Sequence, residues 1–518
     1  MTHIKDPALQ MCVPPKKSLT IAQDKDVEWL NSLWTDTPME WNGFNIQKAR
    51  ESFLPPHPAS LYMIGHLLDS PPAHPDTCNT SIEYMNASME DMGMKYIHIS
   101  IDMQLFISSI HIRWHNFIKY HNVILHPGGM HIIMSFVGGI SRLMEGSGLE
   151  VYIGAAYGGL TGIFSGKSWV KALRAFRGVA AALLHNILST GEKTFQEIED
   201  YINEARTRDT GRHWVDNFLE PVLIIHQFER AEREGDFFLR MMAMKRMLRI
   251  FRVSKRVDYF RYILQYIIEI EELPVDAIED LKSGAFVCRH QSGHWNAVSG
   301  DQFGEQTAIK TGKASLKGAT LQPELVAEWV DAFPFTVMVT DLVDTMYGEE
   351  DDENESSTTS TKHKEEMPSR RDLDRKDRNL ILEEFGKHSH PLEDDRPYLF
   401  NPTNGRRAPL EVNVHNSKEI GQKLVNEFYN KLPGGFHDTL SLPVITMAVT
   451  SMSKGKNKQV ILSLETMWLN ILTVGQQRKV SVKCMLRAEL CSHPPNIIDK
   501  YGNLWKSTKA IIDKKNLE

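Results

Sequence analysis

The chain has 518 residues, 42% of them hydrophobic, and a formal net charge of -7 from 59 basic and 66 acidic side chains. That is apolar material for roughly two to four domains with real cores, and it excludes both a disordered chain and a protein whose net charge alone would hold nucleic acid. The five cysteines (Cys12, Cys78, Cys288, Cys484, Cys491) are odd in number, far apart and never in a Cys-x-x-Cys pair, which argues against a disulfide framework or a zinc ribbon and for a reducing compartment.

The N-terminus lacks an apolar core of the signal-peptide kind, and no window gives about 18 apolar residues in a row. The expectation is a nuclear or cytoplasmic protein, not secreted and without a membrane partner. Residues 1–75, punctuated by "LPPHP" and "SPPAHP", read as an extended proline-rich arm, because proline lacks the amide donor. "TSIEYMNASMEDMGM" places Ile82, Met85, Met89 and Met92 at helical spacing, and "KYIHISID" then reads as a buried strand ending at Asp102. A helix over Met103–Tyr120, a short strand "VILH", the turn Gly128-Gly129 and a helix through "MHIIMSFVGGISRLM" repeat the strand and helix alternation of an α/β core.

Residues 168–283 read as helix after helix, with Thr194 and Glu197 as a capping box and long amphipathic stretches at 215–234, 236–253 and 256–272. "GAFVCRHQSGHWNAV" returns to a β-like pattern, and "GDQFGEQT" starts a helix carrying Glu305. The organisation expected is an arm (1–75), an α/β core (76–345) with a helical insertion at about 168–283, a charged disordered linker (346–378), and a helical C-terminal domain (379–518). "SKEIGQKLVNEFYNKL" and "LSLETMWLNILTVGQQ" are the clearest helices of that last domain.

Three motifs invite chemistry. "TGIFSGKSW" ends like a phosphate loop but has Thr161 where the first glycine belongs, so Ser165-Gly166 reads as an ordinary entry to a helix. His111, His115, His121, His126 and His131, and again Cys288, His290 and His294, are dense enough for a metal yet lack a familiar ligand spacing. In "RMMAMKRMLRIFRVSKRVDYFR", the residues Arg240, Lys245, Arg246, Arg249, Arg252, Lys255 and Arg256 form a candidate nucleic-acid face, or else long basic stems lying over a core helix.

Taken in order, "HISIDMQ", "HPGGMH", the helical insertion and "GDQFGEQT" resemble transposable-element-derived proteins of invertebrate genomes, relatives of ribonuclease-H-like, DDE-type transposases. The resemblance runs from "WNGFN" through "MEGSGLE", "FSGKSWVKALRA" and "DYFRYILQYI" to "EIGQKLVNEFYNKLPGGFH" and "LCSHPPNIIDKYGNLWKS". It implies a ribonuclease-H-like α/β core with a large all-α insertion and a mostly α C-terminal domain, DNA as a partner, and Mg²⁺ or Mn²⁺ held by three carboxylates for phosphodiester transfer or hydrolysis. Asp102 would be the first catalytic and metal-binding carboxylate and Glu305 the last. At the middle position, where relatives show Gly-Asp-aromatic-His, this chain has Gly129, so catalysis is expected to be impaired. Relatives extend past the region matching 411–518, so the chain reads as a shortened copy. The competing expectation is a non-enzymatic scaffold that binds proteins through its helical regions.

Overall fold

The computed structural model describes residues 16–35, 38–51, 57–60, 72–289, 293–309 and 368–430, with isolated positions between 328 and 342. These residues are mostly helical, with two small sheets. They fall into two compact units: one holds those before residue 70 with 94–107 and 123–429, the other those in 70–93 and 108–122 together with Asn430.

The first unit begins with two helices, α1 (Lys16–Ser32) and α2 (Trp41–Arg50), where an extended arm was expected. The prolines explain the difference. Those nearest, at 14, 15, 38, 55, 56 and 58, bracket the two helices, and none of the ten within residues 1–75 interrupts either. Both helices are anchored: Trp41 is fully buried, stacks on His226 with ring centroids 4.9 Å apart, and donates from Nε1 to Asp26 at 3.1 Å. Arg177 and Arg230 lie over the same indole, 4.7 and 5.2 Å from its centre.

In the second unit, α3 (Pro75–Asp91) is tied to the turns at 116–122. Tyr120 donates to Asn79 at 2.7 Å, Lys119 pairs with Glu83, and Asn122 donates to Asn86 at 2.9 Å.

Strands β1 (Ile97–Ile101) and β2 (Val123–Pro127) pair in parallel, Ile97 opposite Val123 and Ile101 opposite Pro127. Their carboxyl ends are therefore adjacent, and α4 (Met103–His115) and α5 (Gly129–Leu143) leave from that one edge. Every residue of β2 is buried, the apolar Val123–Leu125 and the hydrogen-bonded His126 alike. The short helices α6 (Leu149–Gly154) and α7 (Leu160–Phe164) lead to α8 (Trp169–Leu183), α9 (His185–Leu188) and α10 (Phe195–Ala205), whose start carries the expected Thr194 and Glu197 capping box. Next come α11 (Asp209–Trp214) and a π-helical turn, Val215–Leu219.

Three long helices form the centre: α12 (Glu220–Glu234), α13 (Phe237–Val253) and α14 (Val257–Glu271). Gly235, at φ +77°, ends the first, and Asp236 accepts from the Leu239 amide at 2.9 Å to start the second. Helix α15 (Val275–Lys282), the antiparallel strands β3 (Val287–Arg289) and β4 (Ala297–Ser299), and α16 (Gly300–Gly304) follow, with a second π-helical turn at Glu305–Ile309.

Residues 368–378, the end of the expected linker, are the first turns of α17 (Pro368–Phe385), which packs along α8. Its Ile381 and Phe385 are buried, and Phe385 stacks on Tyr152 at 3.8 Å. Helix α18 (Ser417–Asn430) matches the expected one, whereas the expected helix at 462–477 lies outside the described residues.

Candidate functional site

The edge where β1 and β2 end carries the residues singled out in the sequence. Asp102 follows β1, and its Oδ1 accepts from the Leu105 amide at 2.8 Å, capping α4. Gly128 follows β2, donates to the Ile101 carbonyl at 2.7 Å, and is the N-cap residue of α5. A glycine N-cap offers no side chain to the free amides of the first turn. Asp301, from α16, supplies that carboxylate instead: Met130 and His131 donate their backbone N–H groups to it at 3.4 and 3.2 Å. The His131 ring adds a bond from Nδ1 to Asp301 Oδ2 at 2.8 Å.

A Cβ on either glycine would force a neighbouring carboxylate to move. A Cβ on Gly128 would lie 2.3 Å from Asp301 Oδ2, and one on Gly129 would lie 1.8 Å from Glu232 Oε1. Two carboxylates from α16 and α12 thus fill the side-chain space at the corner. Glu232 is buried, and Arg240 Nε donates to it at 3.4 Å. Arg240 also donates to the Tyr266 hydroxyl at 3.2 Å and the Pro127 carbonyl at 3.1 Å. Tyr266 continues the network to His126 Nδ1 at 2.8 Å, and His126 shares a hydrogen bond with His98 at 2.9 Å.

The electrostatics follow from this packing. Burial pushes Glu232 up to about 7, against the pull of Arg240 and with the help of the nearby Asp301 charge. His131 is raised above the ordinary histidine value, first by its hydrogen bond to Asp301, then by the charges of Asp301, Asp102 and Glu305. Asp301 is held low despite its burial by the bonds from His131 and Ser299. Glu305 opens the second π-helical turn and is half-buried.

As arranged, these groups do not fit a two-metal site. One oxygen of Asp102 caps a helix, both oxygens of Asp301 accept from α5, and Glu232 is held by Arg240. Among the described residues no group of three or more His, Cys, Asp or Glu side chains is placed to hold a metal ion.

A family described as Domain of unknown function (DUF8702) matches residues 40–208 and 190–487. The chain belongs to that family. No curated protein and no solved structure matches. The DUF8702 match includes Asp102, Gly129, His131, Glu232, Asp301 and Glu305, so the whole corner lies within the region the family shares.

Sequence reasoning missed Asp301 and Glu232. Asp301 lies one helical turn before Glu305 in "GDQFGEQT" and could have been paired with it; Glu232 sits 103 residues after Gly129, and nothing local marks it. Within the same DUF8702 region, the basic stretch does not form a single outward face. Arg240 is inside the corner network; Arg246 donates to Gln227 at 2.5 Å and to Glu220 at 3.2 Å; Arg249 is buried 3.2 Å from Glu220. Arg252 lies over the Phe260 ring, Arg256 fills the space above Gly138, Lys245 is half-buried, and Lys255 is exposed. The reason is the composition of α12, whose Glu220, Gln227 and Glu232 face α13 and draw its guanidinium groups inward.

The other motifs resolve locally. The His111 ring packs on Trp114, and His115 and His121 bond to backbone carbonyls at 2.7 and 3.0 Å, while His126 and His131 belong to the corner. Cys288 and Cys78 are free thiols, and His290 lies outside the described residues. Gly166, at φ +79°, passes so close to the Met134 carbonyl that a Cβ would lie 2.1 Å from its oxygen, so this glycine serves packing. No helix among the described residues is long and apolar enough to cross a membrane.

Proposed function

We propose that this DUF8702 protein is a mobile-element-derived protein of the DNA-transposition class whose phosphodiester chemistry is impaired. The observation that carries the reading is the corner itself. Parallel neighbouring strands end in Asp102 and in Gly128-Gly129, the placement a ribonuclease-H-like core gives its first two carboxylates, but the second position is glycine and its side-chain space is occupied by Glu232. Glu305 and Asp301 approach from the helix that supplies the last carboxylate in such cores, and both act electrostatically on His131. Hard divalent cations need oxygens free to bind them, and those of Asp301 and Glu232 and one of Asp102 are engaged with protein partners.

The test is a nicking and strand-transfer assay on supercoiled plasmid with Mg²⁺ and with Mn²⁺, alongside Asp102→Ala and Glu305→Ala. Background-level cleavage by the native chain supports impairment. Robust cleavage that both substitutions abolish would overturn it.

A second reading, a non-enzymatic scaffold for protein partners, is favoured by one observation: Arg240, Arg246 and Arg249 face internal carboxylates. Fluorescence anisotropy with duplex DNA at low salt separates the two. Salt-sensitive binding supports descent from a DNA-handling protein, and its absence favours the scaffold.

A further inference from the structure

A separate cavity of about 240 Å³ opens between α1, α10, the π-helical turn and α12. Its walls are apolar, formed by Leu30, Leu184, Ile198, Ile202, Leu219 and Leu223. Phe195, also part of the lining, is 37% exposed. One wall is the π-helical turn, an irregularity that recurs at binding sites because it re-aims side chains without breaking the helix.

The cavity is polar at one end, where cations outnumber carboxylates. Arg206 reaches Asp216 at 2.9 Å and Glu220 at 3.0 Å; Lys418, from α18, reaches the same two at 3.6 and 2.7 Å. Arg246 and Arg249 each approach Glu220 at 3.2 Å, so four cations share two carboxylates. The lining side chains themselves are three cations (Arg206, Arg246, Lys418) and three carboxylates (Asp26, Glu199, Glu220), but Asp26 is taken up by Arg230 at 2.8 Å and Glu199 sits on α10, so the positive excess is confined to the end where Arg206, Arg246 and Lys418 gather, with Asp216 and Arg249 just behind the lining. The Nη1 of Arg249, a buried side chain, has no acceptor among the described residues. Although burial pushes Glu220 up, Arg249, Lys418 and Arg246 draw it down to about 2, a measure of the positive potential there.

We propose that this cavity binds a small amphipathic anion, a medium-chain carboxylate whose tail lies along Ile198, Leu219 and Leu223 and whose head group meets Arg206, Arg246 and Lys418. The volume supports a small occupant: it is below the roughly 300–1,000 Å³ typical of sites for drug-sized molecules. Arginine and lysine at one end of an apolar slot offer charge-assisted hydrogen bonds to a carboxylate. The site is distinct from the corner at Gly129 and independent of the transposition reading.

The experiment is isothermal titration calorimetry on the full chain with octanoate, 1-octanol and octylammonium. Saturable binding of one octanoate per chain is expected, with 1-octanol about tenfold weaker or worse, since a hydrogen bond to a charged group is worth about 1.5–3 kcal/mol. Octylammonium should give no saturable heat. Lys418→Gln should weaken octanoate about tenfold, and Leu223→Trp, which fills the slot, should abolish binding while leaving the circular dichroism spectrum unchanged. The ligand series uses the native protein, so the outcome does not depend on how the variants fold. Octanol binding as tightly as octanoate, or no saturable octanoate heat, would overturn the proposal.

Discussion

The carboxylate of Glu232 occupies the place where residue 129 would carry its side chain, with Oε1 only 1.8 Å from an ideal Cβ on Gly129. The glycine that leaves this position without a side chain is therefore the residue that admits a carboxylate from α12. The two positions form one steric unit, and that coupling is measurable.

Gly129→Ala should destabilise the native chain by about 1–3 kcal/mol, because the displaced carboxylate is buried and held by Arg240. In a Glu232→Ala background the same change should be neutral or stabilising by up to about 1 kcal/mol, the helix-propensity gain of alanine over glycine. Urea unfolding of the four proteins gives the coupling energy. Additive effects would refute the steric argument.

Glu232 also makes stability depend on pH. Its folded-state value, about 7, is above that of an unfolded glutamate. The folded chain thus holds the proton more tightly, so this contribution is full below about pH 4.5, declines as pH rises toward 7, and is flat above. The slope is at most about 1.4 kcal/mol per pH unit. Glu232→Gln keeps a partner for Arg240 and should flatten the Tm profile between pH 5 and 7. An unchanged profile would show that Glu232 ionises normally in the fold.

How far the corner was legible depends on whether its signals are local. Asp102 and Gly128-Gly129 were found because each directly follows a short apolar strand, and the parallel pairing then brought them together. Helices α12, α13 and α14 were legible from their 3.6-residue periodicity, with Gly235 as the break between the first two. Glu232 was not legible, because "FERAERE" has the look of a solvated helix face, and only packing against α13 on one side and against α1 and α2 on the other turns Glu232 and Arg230 inward. The same limit left Arg240, Arg246 and Arg249 open between a nucleic-acid face and stems over a core helix: a periodic pattern shows where cations lie on a helix, not which carboxylates a distant helix brings to them. The proline-rich arm failed differently, since composition was averaged over 75 residues while the prolines cluster at helix ends.

Asp301 should act as a cap at a distance. Asp301→Asn leaves a weaker acceptor for the Met130 and His131 amides and should cost about 0.5–2 kcal/mol, the usual range for a lost helix cap. It should also lower the His131 pKa, since the largest raising influence on that ring is its bond to Asp301. In the native chain, the stability linked to His131 is full below the unfolded histidine value and is lost as pH rises through the raised folded one. An NMR titration of the imidazole checks this, and a His131 pKa unmoved by the substitution would contradict the assignment.

The basic stretch separates into internal and surface positions that should respond in opposite ways. Arg249→Ala removes a buried cation from Glu220 and should destabilise the chain by about 1–3 kcal/mol. Lys255 is exposed and is the one non-glycine among the described residues at positive φ, +60°. Lys255→Gly should therefore stabilise the chain by up to about 1 kcal/mol through relief of the left-handed strain. Differential scanning calorimetry reads both; destabilisation by Lys255→Gly comparable to that of Arg249→Ala would mean that the lysine makes contacts of its own.

The helix after the charged segment offers the last test, because it decides whether α17 is integral to the first unit. Ile381 is completely buried, and its Cδ1 lies 2.8 Å from where a Cβ on Gly178 of α8 would be. Glycine at 178 thus lets α17 approach α8 closely, and Ile381 fills the contact. Ile381→Ala should cost about 2–5 kcal/mol, the usual range for truncating a buried isoleucine. Gly178→Val should destabilise by overpacking against the same side chain, and combining it with Ile381→Ala should recover part of the loss because the added methyl groups enter the vacated space. Hydrogen exchange localises the effect: slow exchange over 379–385 in the native chain, lost in Ile381→Ala together with protection in α8, is expected for a docked helix. Fast exchange over 379–385 in the native protein would show that α17 does not contribute to the unit's stability.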